Sequence, residues 1–181
     1  MTTEENSTIR ELADLARDKD LDQLSDVLID CVEGGASVSF MQPMTREKAD
    51  GFWRGVETGV KACERVLLVA RDETNEIVGT VQIVLSQPEN QPHRADIAKM
   101  LVHRRARRRG IAEALMRTVE AVARREGKTL LVLDTITAGD AERLYTRLGW
   151  INCGMIPDYA LFPSGGLAAT TIFYKKLDPH A

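Results

Sequence analysis

Met100-Leu101-Val102-His103-Arg104-Arg105-Ala106-Arg107-Arg108-Arg109-Gly110-Ile111-Ala112 decides how the rest of this chain is read. It is preceded by Arg94 to Val102 (RADIAKMLV), a short, mostly apolar run of strand length. It is followed by Ile111, Leu115, Val119 and Val122 at helical spacing, with Gly127 as the stop. Leu130 to Asp134 (LLVLD) then has the composition of a buried strand. Strand, helix and strand in this order make a crossover unit, which places the two strands parallel in one sheet.

Upstream, Val66 to Ala70 (VLLVA) and Ile77 to Leu85 (IVGTVQIVL) are β-branched runs separated by turn-forming residues. With Arg94 to Val102 they predict three consecutive antiparallel strands. Leu21, Leu24, Leu28 and Val32 predict a helix over Leu21 to Glu33, ended by Gly34-Gly35. Gly34 to Pro43 (GGASVSFMQP) is a loop, and Thr45 with Lys48 opens a second helix reaching about Ala62. Downstream, Ala141, Leu144, Tyr145 and Leu148 share a helix face closed by Gly149, and strands follow near Ile151 to Met155 and Thr170 to Leu177. The expected architecture is α/β, one domain over residues 1–181, with helices on the faces of a mixed sheet.

Composition limits the function classes. The 181 residues are 44% hydrophobic and 28% charged, and 24 Lys+Arg against 27 Asp+Glu leave a net charge of -3. This balance speaks against a generally basic nucleic-acid binder and against an acidic disordered tail. No apolar run approaches the ~20 residues of a membrane span, and Met1 to Arg10 is polar and acidic, unlike a signal peptide. A cytoplasmic protein is expected. Cys31, Cys63 and Cys153 are far apart without a C-x-x-C, and His93, His103 and His180 are scattered, so no metal site is expected.

One place departs from the charge balance: Arg104, Arg105, Arg107, Arg108 and Arg109 crowd immediately before Gly110. A helix N-terminus presents unpaired N–H groups and a partial positive charge, so further cations there are unfavourable unless an anion is bound. A phosphate-binding turn is the functional reading; a solvated basic loop is the structural one. Nucleic-acid binding is the weaker alternative, given 5% aromatic residues. Neither G-x-G-x-x-G nor G-x-x-x-x-G-K-[ST] is present.

Arg107-Arg108-Arg109-Gly110-Ile111-Ala112 resembles the R/Q-x-x-G-x-G/A signature of the GNAT N-acetyltransferases. Ala141 to Trp150 (AERLYTRLGW) is similar to that family's A-x-x-L-Y-x-x-x-G-F motif, with Trp for Phe. The likeness runs from about Val66 to Leu177. Gly34 to Met41, His93 to Val102, Leu130 to Thr135 and Gly154 to Tyr174 further resemble the tabtoxin-resistance branch, which acetylates a β-lactam amino-acid toxin. The resemblance implies the GNAT fold, a mostly antiparallel twisted sheet with a central, splayed parallel pair and helices on both faces. It also implies acetyl-CoA as co-substrate, a small-molecule amine or amino-acid-like acceptor and a homodimer by family habit; direct transfer in a ternary complex is expected because no Cys stands at a nucleophile position in either motif, and the composition leads to the expectation of no nucleic-acid or membrane partner. A CoA-binding module without catalysis is the alternative.

In terms of residues, the resemblance puts the pyrophosphate on backbone N–H groups from Arg108 to Ala112, and the 3′-phosphate near Arg104, Arg105 or Arg107. Pantetheine would pair with Met100, Leu101 and Val102. Tyr145 would protonate the leaving thiolate, or simply be core. Asp96 would be a general base, a substrate anchor or a surface strand residue. Asp134, ending the neighbouring strand, would grip an ammonium or cap the next helix. Ala138 stands where many members carry an Asn that contacts pantetheine. Phe40 and Tyr159 would shape the acceptor pocket or belong to the core.

Overall fold

The computed structural model describes residues 7–15 and 18–178; His180 and the first six residues of the acidic N-terminal stretch lie outside them. Seven strands form one sheet in the order β1-β2-β3-β4-β5-β7-β6. In chain order the elements are β1 (Thr8–Glu11), α1 (Asp18–Glu33), α2 (Arg46–Lys61), β2 (Arg65–Arg71), β3 (Ile77–Val84), β4 (Arg94–Val102), α3 (Ile111–Arg125), β5 (Leu130–Ile136), α4 (Asp140–Arg147), β6 (Ile151–Leu161) and β7 (Leu167–Lys176). Only β4 and β5 run parallel; every other neighbouring pair is antiparallel. Both expectations, the antiparallel run and the parallel crossover through α3, are met.

Period-two alternation on the central strands builds two cores. On β2, Leu67 and Val69 pack under α1 and α2, whereas Leu68 and Ala70 pack under α3. From α1, Leu24, Val27, Leu28 and Val32 contribute to the first core, and from α2, Ala49, Trp53 and Val56. The second core receives Ile111, Leu115, Met116, Val119 and Val122 from α3 and Tyr145 from α4. Full burial of side chains such as Leu115, Met116 and Val119 is worth about 1.5–3 kcal/mol each. Thr45 caps α2 by accepting the Lys48 N–H at 3.3 Å. A Cβ on Gly79 of β3 would meet Ile111 Cγ2 at 3.2 Å and Leu115 Cδ1 at 3.3 Å, so the missing side chain lets the start of α3 lie close to the sheet.

The functional geometry comes from one irregularity. Thr80 pairs with Leu101 and Gln82 with Ala98, leaving Lys99 and Met100 together opposite Val81. This is a bulge, with Lys99 in the left-handed region at φ 51°. It reverses the facing of β4: Ala95 and Ile97 pack under α3, but Leu101 packs under α1 and α2. The β4–β5 ladder ends nearby, at Asp96 opposite Val132. Beyond that point β4 stays paired with β3 as far as Val102, and β5 with β7 as far as Ile136. The two parallel strands therefore part, and their facing edges are open.

Two edges differ from expectation. The short strand β1, pairing with β2 from Thr8 to Glu11, has no periodic signal in its polar TIRE sequence. Strand β6 continues to Leu161 instead of stopping at Met155, crossing irregularities at Asn152/Gly154 and Ile156/Ala160. Gly154 and Pro157 look like terminators in the sequence, but bulged pairing with β7 absorbs them on an edge strand.

Candidate active site

The parting of β4 and β5 opens a cleft of about 1120 Å³, bounded by the loop after α1, the N-terminus of α3, α4 and the end of β6. At one end, Gly110 stands in the left-handed region at φ 76° as the N-cap of α3 and supplies no side-chain cap. The first-turn N–H groups of α3 thus lack an intrahelical acceptor, an arrangement that suits an anion. Arg107, Arg108, Gly110, Ile111 and Ala112 line this end. Arg108 is itself left-handed at φ 63°, and Arg107 Nε donates to the Val102 carbonyl at 3.1 Å.

The remaining arginines of the cluster turn elsewhere. Arg104 donates from its backbone N to Asp30 Oδ2 at 2.8 Å and from Nε to Oδ1 at 2.9 Å. Arg105 NH2 pairs with Glu76 at 2.9 Å. These ion pairs fasten the turn before α3 to α1 and to the β2–β3 turn, which makes Arg104 and Arg105 scaffold for it. Burial works against the Asp30 charge, but the Arg104 hydrogen bonds outweigh it and hold the carboxyl below its ordinary range. Arg109 does not line the cleft; it borders a smaller depression with Asp72, Glu73 and Thr74.

Midway, Met100, Leu101 and Val102 present the free edge of β4 to the cleft. Unpaired backbone groups on an open edge are a template for an extended ligand, which gains main-chain hydrogen bonds as an added strand would. Cys31 also borders this stretch. It is buried, its thiol donates to the Val102 carbonyl at 3.5 Å, and burial raises its pKa, so the inert thiol form prevails.

Where the strands separate, Tyr145, Asp134 and Lys99 all border the cleft. Tyr145 is 5% exposed, packed with its centroid 5.9 Å from Trp150 and 6.0 Å from Phe173. It is both a core residue and a cleft residue, and its hydroxyl makes no hydrogen bond to the described residues. Burial, and then the charge of Asp134, pushes the phenol pKa well up. Asp134 Oδ2 accepts from Thr170 Oγ1 at 3.0 Å, and the same hydroxyl donates to the Thr135 carbonyl at 2.9 Å. Phe40 and Tyr159 reach the cleft from opposite rims.

Besides Arg109, two more expected residues are not brought to the cleft. Asp96 lies in the last paired step of the parallel ladder, before the strands part, and its carboxylate is held by Arg94 and by Gln87 Nε2 at 3.2 Å. Ala138 does not line it either; its N–H is capped by Glu142 on α4, and it adopts φ 63°. Conversely, Lys99, Ser39 and Thr170 line the cleft without having been singled out in the sequence. Lys99 had a signal, as the one charge in an otherwise apolar run from Ile97 to Val102.

The residues that build this helix start and the two parted parallel strands fall within a family match. The acetyltransferase (GNAT) family model covers residues 22–150. The chain belongs to this family. As a GNAT protein it is 33% identical over 126 residues to an uncharacterized N-acetyltransferase from the hisH-hisA intergenic region of Azospirillum brasilense, covering 68% of this chain and 73% of that one. Its GNAT fold superposes on an N-acetyltransferase from Staphylococcus aureus with a TM-score of 0.78 at 17% identity, over 96% and 99% of the two chains. It also superposes on a phosphinothricin acetyltransferase from Sinorhizobium meliloti, solved with acetyl-CoA, with a TM-score of 0.78 at 16% identity, over 94% and 88%.

Proposed function

We propose that this GNAT protein transfers an acetyl group from acetyl-CoA to the nitrogen of a small amine of amino-acid type, toxins and antibiotics of that class included, by direct attack within a ternary complex. The observation that carries the reading is the juxtaposition of the α3 N-terminus, the free β4 edge and the Tyr145 hydroxyl along one cleft. The residues suit the co-substrate chemically. Amides at the start of α3, with Arg107 and Arg108, suit its phosphates, and the open backbone of Met100, Leu101 and Val102 suits the amides of pantetheine. Bound acetyl-CoA supplies the activated thioester.

The chain's own groups supply the proton chemistry. Tyr145, which borders the cleft with its hydroxyl unpaired by the described residues, is placed to donate to a departing thiolate. Asp134, fixed through one oxygen by Thr170, keeps the other for the acceptor nitrogen. As the nitrogen–acyl bond forms and the carbon–sulfur bond breaks, Tyr145 gives up a proton, and the one released by the nitrogen replaces it by way of solvent. No proton transfer is assigned to Asp96, which stands outside the cleft. The buried, protonated Cys31 supports transfer without an acyl-enzyme.

The similarity of Gly34 to Met41 and Gly154 to Tyr174 to tabtoxin-resistance enzymes supports an amino-acid-like toxin as acceptor, because these stretches supply Phe40 and Tyr159 to the cleft. The test is release of free thiol from acetyl-CoA across amino acids, polyamines, aminoglycosides and β-lactam toxin analogues. Release with an amino-acid-type acceptor is expected; acetyl-CoA binding with background release from every amine would identify a binding module instead.

A further inference from the structure

We infer that Lys99 is the residue that selects the acceptor, by binding a carboxylate that the acceptor carries beside its reacting amine. The inference rests on the acetyltransferase reading above and names a recognition element for it. Lys99 leaves the regular alternation of β4 through the bulge opposite Val81, in a left-handed conformation at φ 51° that L-residues rarely take. The bulge brings its ammonium to the cleft wall. There Nζ donates to Ser39 Oγ at 3.2 Å and lies 5.7 Å from the ring centroids of both Phe40 and Phe52.

Lys99 is half-buried, yet among the described residues no carboxylate comes within ion-pair distance of its ammonium. Two ring faces and a hydroxyl compensate a cation only in part. Burial accordingly lowers the Lys99 pKa, opposed by the more distant charge of Asp134. An incoming anion would complete the set, giving Lys99 the charge-assisted partner that the fold withholds. Asp134 meanwhile faces the cleft from β5, on the other side of the parting strands, and suits a nitrogen. A cation and an anion on opposite walls of one small site match a zwitterion, and Ser39, Phe40 and Tyr159 are placed around its remaining part. A polyamine or aminoglycoside would instead set a second cation against Lys99.

The experiment compares free L-amino acids with their carboxamides, pair by pair, in the wild type and in Lys99→Met and Lys99→Arg. It measures KM and kcat for thiol release, and calorimetric binding of the same compounds to the CoA-loaded protein. The wild type is expected to favour the free acid by about 10- to 100-fold in kcat/KM, the discrimination of a charge-assisted contact. In Lys99→Met the preference disappears because KM rises far more for the acids than for the carboxamides; Lys99→Arg retains it. A general loss of fold would depress both compounds alike. Equal use of acids and carboxamides by the wild type overturns the assignment while leaving the acetyltransferase reading intact. So does a Lys99→Met variant that still binds CoA in calorimetry yet loses kcat/KM equally for both. Background release with every acceptor, together with no acid-selective binding, overturns both readings.

Discussion

Burial and the nearby charge of Asp134 together hold the phenol of Tyr145 protonated well above its ordinary pKa. A phenol of ordinary pKa is already protonated over the physiological range, and the upward shift makes it a weaker acid, so Tyr145 suits a departing thiolate by its place on the cleft and its unpaired hydroxyl. Tyr145→Phe keeps the ring in its packing with Trp150 and Phe173 and removes only the donor. The expected result is a fall in kcat of about 100-fold or more with little change in KM for acetyl-CoA, measured by thiol release.

The same shift links pH to stability. A phenol whose folded pKa lies above its unfolded value of about 10 contributes fully below that pH, and the contribution is lost as pH rises further. Thermal melts from pH 8 to 11 should therefore show the wild type losing more stability at the alkaline end than Tyr145→Phe does. Parallel losses would assign the alkaline limb to other groups.

Asp30 anchors the arginine turn before α3 through two hydrogen bonds to Arg104. Its carboxyl titrates below the ordinary value of 3.8, so the clamp is fully formed above that pH and is lost as acid protonates it. Asp30→Asn weakens the clamp at neutral pH. Calorimetry should show a several-fold rise in the Kd for acetyl-CoA, with KM for the acceptor less affected.

Gly110 needs its φ of 76° to place the first amides of α3 toward the cleft. A Cβ there would meet no atom within 4 Å, so Gly110→Ala tests conformation alone, at a strain of about 1–2 kcal/mol. Lower thermal stability and weaker acetyl-CoA binding are expected together. A drop in stability with unchanged binding would show that the phosphates do not use these amides.

Ala138 carries a comparable strain at φ 63° without bordering the cleft. Ala138→Gly relieves about 1–2 kcal/mol and returns about 0.4–1 kcal/mol through the freer unfolded chain. The Tm should rise by about 2–4 °C, read by differential scanning calorimetry with turnover near that of the wild type.

What the sequence made legible follows from the range of each signal. The helical stripe from Ile111 to Val122, the alternation in Val66 to Ala70 and the Gly110 turn are local, and they place the crossover and the anion site. Phe40, Asp134, Tyr145 and Tyr159 all come to the cleft. The rest depends on distant pairing. Arg104 and Arg105 look like ligands until Asp30 and Glu76, 74 and 29 residues away, are seen to hold them. Whether Asp96 reaches the cleft depends on where the β4–β5 ladder ends, and Lys99 depends on a bulge defined only by the register against β3. Neither property is written in a periodicity.

Direct transfer is the central claim, and Cys31, which lines the same cleft, is the residue through which it can fail. The decisive measurement is mass spectrometry of the protein and of the acceptor after incubation with isotopically labelled acetyl-CoA, with and without an amino-acid acceptor. Without the acceptor the protein should remain unlabelled; with it, the label should appear on the acceptor nitrogen in step with free CoA. A labelled peptide containing Cys31 that passes its acetyl group to the acceptor would contradict the account.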